Sequence, residues 1–185
     1  MHIQMTAKSE YDRSQYGYII VPVTKEMNAE AEHRALSLGA LTGSIRHGMG
    51  NRVGYIGQIA VRDAIEGMKE LDTHDFDLVY EGTTPIEVKT KDRTVPPKPH
   101  YECSVAEMNH SQKSSFYVFV SVTRLSTYNR VASDYNTAFI LGYMQTTEYL
   151  QAAIHMKIGD VDPSNNFTVK ANCYNLPIRA LHRFW

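Results

Sequence analysis

Cysteine is scarce in this chain. Its 185 residues include only two cysteines, Cys103 and Cys173, and no Cys-x-x-Cys pair. That argues against a disulfide framework and against a four-thiolate zinc site. No apolar run approaches the roughly 20 residues of a membrane-spanning helix, so no membrane association is expected. Neither charge sign dominates: 19 Lys and Arg stand against 20 Asp and Glu, a net charge of −1. A histone-like, tail-driven nucleic-acid binder is thereby set aside, while a local basic patch stays open. Met1-His2-Ile3-Gln4 carries no basic region followed by an apolar one, so no signal peptide is read. Internal repeats and low-complexity segments are absent from the sequence. What is left reads as a soluble intracellular protein. Its composition is 43 % hydrophobic and 21 % charged, ordinary for a globular domain. A chain of this length can bury roughly 70 % of its extended surface. No linker separates two halves, and residues 1–185 read as a single domain.

The periodicity gives an order of elements. Residues 1–17 read as a polar, loosely held segment. Tyr18-Ile19-Ile20-Val21, closed by Pro22, reads as an edge strand. Thr24 offers an N-cap for a helix to about Leu38, stopped by Gly39. Glycines at 39, 43, 48 and 50 make a loop that bends sharply or approaches something closely. A second helix is expected from about Arg52 to Leu71, with Val53, Ile56, Ala60, Ala64 and Met68 on one apolar stripe and Gln58, Arg62 and Glu66 on another face. His74–Tyr80 and Pro85–Thr90 read as two strands around the turn Glu81-Gly82-Thr83-Thr84. A Pro-rich basic loop, 91–99, follows. Beyond it come a short strand (Tyr101–Val105), a short helix (Ala106–Gln112), a buried central strand (Phe116–Val122) and another strand (Ala138–Met144). A helix from Thr147 to about Lys157 and a strand over Phe167–Cys173 complete the order. This is an α/β or α+β chain with a mixed central β-sheet flanked by helices.

The chemistry concentrates in Asp77…Glu87-Val88-Lys89. Side chains alternate along a strand, so Glu87 and Lys89 share one face and Val88 lies on the other. Asp77 joins that face when the connecting loop holds an odd number of residues. A three-residue loop sets it opposite Glu87, and a five-residue loop sets it opposite Lys89. Two converging carboxylates form a site for a hard cation such as Mg²⁺. An unneutralised pair would push one carboxyl's pKa upward. An adjacent lysine can orient metal-bound water and stabilise charge on a phosphate.

These residues, with the stretch from about Leu38 to Met144, resemble the PD-(D/E)XK nuclease superfamily, and within it small bacteriophage-encoded nucleases. The resemblance implies a restriction-endonuclease-like core and a Mg²⁺-dependent DNA endonuclease, with Mn²⁺ able to substitute. It implies that Asp77, Glu87 and the Val88 carbonyl hold the metal while Lys89 orients the nucleophile. Gly54-Tyr55-Ile56-Gly57-Gln58 resembles the preceding family helix, in which Gln58 stands where relatives carry glutamate. Gln58 is therefore a candidate catalytic position with no charge; either the site works with less negative charge, or Glu66 or Asp75 substitutes, or activity is reduced. Gln112 matches a position where relatives place a polar residue near substrate. The expected location is the cytoplasm, that of the host cell if the chain is viral.

DNA is the expected partner. Residues 33–62 contain no Asp or Glu but do contain Arg34, Arg46, Arg52 and Arg62, and the loop after Lys89 adds Lys91, Arg93 and Lys98. Such side chains would neutralise phosphates. Oligomeric state stays open, a homodimer included. The rival reading is a nuclease-fold module that binds nucleic acid or protein without cutting. Asp160-Val161-Asp162 lacks the glycine and final glutamate of a calcium loop. His100 and Cys103 have no second pair for zinc, and Gly39–Gly50 is no ATP-binding loop.

Overall fold

The structure is a computed structural model that describes residues 3–38, 49–71, 76–107, 113–124, 134–162 and 166–185. A six-stranded mixed sheet forms its centre. It is built from β1 (Ile19–Pro22), β2 (Met68–Glu70), β3 (Leu78–Tyr80), β4 (Thr84–Asp92), β6 (Phe116–Arg124) and β7 (Tyr135–Gln145). The strand order is β1-β7-β6-β4-β3-β2. Only β4 and β6 pair in parallel; every other neighbour is antiparallel. The expectation of a mixed α/β chain is met at this level, with β1 at the sheet edge.

Helices α1 (Lys25–Leu38) and α2 (Met49–Ala64) cover one face. Thr24 caps α1, its Oγ1 accepting the Met27 N–H at 3.2 Å. Asn28 ties α1 to β7: its Nδ2 donates to the carbonyls of Thr24 and Tyr135, and its Oδ1 accepts the Tyr135 N–H. Along α2, Val53, Ile56, Ala60 and Ala64 are buried as the stripe requires, against Ile86, Val88, Val118 and Val120 of the sheet. Fully burying a side chain such as Ile56 or Ile86 contributes about 1.5–3 kcal/mol. Gly57 sits where α2 crosses β4; a Cβ there would overlap the Thr90 hydroxyl.

The other face carries a second layer. β5 (Glu102–Ala106), β11 (Cys173–Pro177) and β8 (Ile154–Met156) form a three-stranded antiparallel sheet. With α3 (Thr146–Ala152) it buries Tyr117, Phe119, Phe139 and Leu141. β9 (Val161–Asp162) and β10 (Phe167–Thr168) make a small ribbon.

Five expectations are corrected. The second helix ends at Ala64, and Met68–Glu70 is strand, not helix tail. Gly67 turns the chain there with φ +73, and pairing of Met68 with Tyr80 outweighs the local helical pattern. The last helix stops at Ala152 because Ile154–Met156 pairs with β11. Phe167–Cys173 divides into two strands. The N-terminal segment is held in place: Met5 is fully buried and Ala7 bridges Ile65. The expected helix over Ala106–Gln112 begins as the end of β5, and residues 108–112 lie outside the described residues.

Candidate active site

β3 and β4 are joined by the three residues Glu81, Gly82 and Thr83, and Leu78 faces Ile86 in register. Asp77 lies one residue before β3, and its N–H donates to the Ile86 carbonyl at 3.1 Å, one residue out of the β3–β4 register. Glu81 and Gly82 both adopt positive φ. β3 begins at Leu78 while β4 continues to Asp92. The edge of β4 beyond Glu87 is therefore open, and the Asp77 carboxylate occupies it. Its Oδ2 accepts the Val88 N–H at 2.8 Å. The N–H and C=O of one strand residue point to the same side, so the Val88 carbonyl also faces that edge.

Gln58, on α2, donates its Nε2 to Asp77 Oδ1 at 2.8 Å. Lys89 Nζ donates to Glu87 Oε1 at 2.8 Å, and both side chains are largely covered, at 12 % and 6 % exposure. Lys89 also lies over the Tyr117 ring, 5.7 Å from its centre. Thus the four residues Gln58, Asp77, Glu87 and Lys89 come together around one strand junction. Glu66, a proposed substitute for Gln58, is exposed on the turn after α2, and Asp75 lies outside the described residues.

The electrostatics are those of an acid pair short of positive charge. Burial, reinforced by the Glu87 charge, pushes the Asp77 carboxyl up to about 7. The Val88 N–H and the Lys89 ammonium oppose that rise without cancelling it. Among the described residues, Glu87 Oε2 is buried and without a hydrogen-bond partner, and so is the hydroxyl of Tyr117, the residue of β6 in register with Glu87. A buried carboxylate oxygen left unpaired is costly. A hard cation would satisfy it, and its donors here would be Asp77, Glu87 and the Val88 carbonyl, completed by water or substrate. No group of three His, Cys, Asp or Glu side chains suited to a metal exists among the described residues, so the protein's own donors are few.

Compared with the models of known families, with characterised proteins and with solved structures, the chain matches none.

The expected basic patch is dispersed. Arg34 pairs with Glu30 and Glu70, and Arg62 with Asp63, Glu30 and Glu70. Arg52 pairs with Asp134, donates to Asn28 Oδ1 and lies over Tyr135. Lys91 falls within β4, not in a loop, and Arg93 directly follows it; both turn inward beneath β5. Arg46 and Gln112 lie outside the described residues. Sequence reasoning missed Tyr117, Ser104 and Ser121. Ser121 had a signal, being the one polar residue in the run Phe116–Val122. Tyr117 and Ser104 had none, because only strand pairing brings them to β4.

Proposed function

We propose that this chain is a divalent-metal-dependent DNA nuclease of the PD-(D/E)XK type, with Asp77 and Glu87 as metal ligands and Lys89 beside them. The observation that carries the reading is the buried Glu87 Oε2, without a hydrogen-bond partner among the described residues, near an Asp77 carboxyl that burial and the Glu87 charge push upward. Two acids in that state are poised to exchange a proton and a vacant lone pair for a cation. The arrangement of an acid at a strand start and Glu-x-Lys on the next strand supports the family resemblance, as does a helix preceding the hairpin.

A bound Mg²⁺ would polarise a phosphodiester and acidify its own water. The chain's residues do the rest. Glu87 and Asp77 fix position through opposed carboxylates, and Gln58 and the Val88 N–H hold the Asp77 carboxylate in orientation from two sides. Lys89, tethered to Glu87 Oε1, presents an ammonium at the junction. There it orients the attacking water and offsets charge on the phosphate as the 3′ oxygen leaves.

A second reading, binding without cleavage, draws on two features. Gln58 brings no negative charge, and Lys89 is already occupied by Glu87. Incubation with circular and linear DNA, with Mg²⁺ or with EDTA, tests the proposal. Mg²⁺-dependent cutting that falls at least about 100-fold in Lys89→Met supports it, the size typical of losing one aimed charge donor. DNA binding with no cutting in Mg²⁺ or Mn²⁺ would overturn it in favour of the second reading.

A further inference from the structure

The face of β4 that carries Glu87 and Lys89 continues through Lys91 to Arg93. Alternate residues on a strand are about 6.6 Å apart, so the cationic groups form a line leading away from the acid pair. They line a cavity of about 110 Å³ between β4, β5 and β6, whose wall includes Ser104, Cys103 and Ser121. Lys91 Nζ donates to Ser104 Oγ at 3.3 Å and to the Glu102 carbonyl at 3.5 Å, both long bonds. The Arg93 guanidinium donates Nε to Ser121 Oγ at 2.9 Å and Nη2 to the same Glu102 carbonyl at 2.8 Å. It lies over the Tyr101 ring, 5.0 Å from the centre. Neither cation forms an ion pair with a carboxylate among the described residues.

Four arginines contrast with these, although Arg183, like Arg93, donates to backbone carbonyls. Arg34, Arg52, Arg62 and Arg124 each have a carboxylate within 3.1 Å. Two covered cations without one are costly unless an anion repays the desolvation. Burial and mutual repulsion lower the proton affinity of Lys91. Glu102 is the one carboxylate at the wall. Burial and the Asp162 charge raise its pKa while Lys91 and Arg93 lower it, and its carboxylate forms no ion pair with either cation among the described residues. Burial pushes the Cys103 thiol up to about 12, so it is neutral and places no negative charge in the cavity.

We propose that this cavity is a binding site for a phosphate monoester, held by Lys91 and Arg93 with Ser104 and Ser121 as hydroxyl partners. Size argues for a small anion: a cavity of about 110 Å³ lies below the 300–1,000 Å³ typical of sites for whole drug-sized ligands, and a single phosphate group suits two cations and two hydroxyls on that scale. A monoester enters with three free oxygens and one tether, whereas a mid-strand diester must thread two. The site holds either the free ion or the terminal phosphate of a strand lying along β4 toward Lys89. Its chemistry does not depend on whether the neighbouring acids support cleavage.

Titration calorimetry with inorganic phosphate at constant ionic strength, and with otherwise identical oligonucleotides ending in phosphate or in hydroxyl, tests the proposal. Saturable phosphate binding is expected, weakened at least tenfold in Lys91→Met and retained in Lys91→Arg. Ser104→Ala, which leaves both cations in place, should weaken it severalfold. Mn²⁺ affinity should stay unchanged in all three variants, which separates this cavity from the acid pair. Preference for the phosphate-ended strand assigns a strand terminus; equal strand affinities with phosphate binding intact assign the free ion. No phosphate binding by the wild type, or equal affinity in Lys91→Met, would overturn the proposal.

Discussion

The two faces of β4 are built on opposite terms. Ile86 and Val88 point into an apolar core against α2. Glu87, Lys89 and Lys91 point the other way, beneath Tyr117 and β5, where coverage is nearly as complete but the side chains are charged. The first face supplies stability. The second gives some of it up: among the described residues it keeps a carboxylate oxygen without a hydrogen-bond partner and two cations with no carboxylate, beside an acid at the strand edge whose pKa is raised. Residues one step apart in the same strand thus serve separate ends, and substitutions should separate them.

The largest effect on stability belongs to the apolar face. Ile86→Ala should lower unfolding free energy by about 2–5 kcal/mol, the range for truncating a fully buried aliphatic side chain, without changing cation affinity. Chemical denaturation with and without Mn²⁺ checks both halves. On the charged face, the double variant Glu87→Gln/Lys89→Met should be neutral or more stable, since replacing both partners of a covered ion pair is often harmless. It should lose cation binding and cleavage entirely. A double variant that unfolds would erase the contrast between the faces.

A smaller effect sharpens it. Gly57→Ala should cost about 1–3 kcal/mol by overpacking α2 against Thr90. Thr90→Ala in the same chain should recover part of that loss, read as a positive coupling in a double-mutant cycle.

Next comes pH. Asp77 ionises near pH 7 when folded and near 3.8 as an ordinary carboxyl. The folded state therefore binds a proton that the unfolded chain has released between those values. Stability of the metal-free protein should fall as pH rises from about 4 to about 7, then level off. Asp77→Asn should flatten that slope in melting temperatures measured across the window. The smallest change is expected at the surface. Arg34→Gln should shift stability by about 1 kcal/mol or less, because its partners are partly solvated.

The sequence made some of this visible and hid the rest for physical reasons. α1 with its Thr24 cap, and the long strands β4, β6 and β7, follow from local pattern alone. Asp77, Glu87 and Lys89 were legible as a group, but whether Asp77 met Glu87 or Lys89 was not. That depended on the loop length: the loop holds three residues, and the Asp77 carboxylate binds the Val88 N–H at the strand edge. The tail of α2 and the strand Ile154–Met156 were misread because sheet pairing with distant partners overrides local propensity. Lys91 and Arg93 read as loop residues facing DNA, because nothing in their own segment shows that β5 folds over them. The arginines of α1 and α2 looked like a patch because their acidic partners, Glu30, Glu70 and Asp134, lie outside the acid-free stretch.

The claim on which the functional account stands is that Asp77 and Glu87 jointly form a cation site. Mn²⁺ titration by calorimetry, at about pH 6, where the Asp77 carboxyl still holds its proton, into wild type, Asp77→Asn and Glu87→Gln measures it directly. The account predicts one site in the wild type and at least a tenfold loss of affinity in each variant, with proton release on binding that disappears in Asp77→Asn. Equal affinity in all three proteins would contradict it.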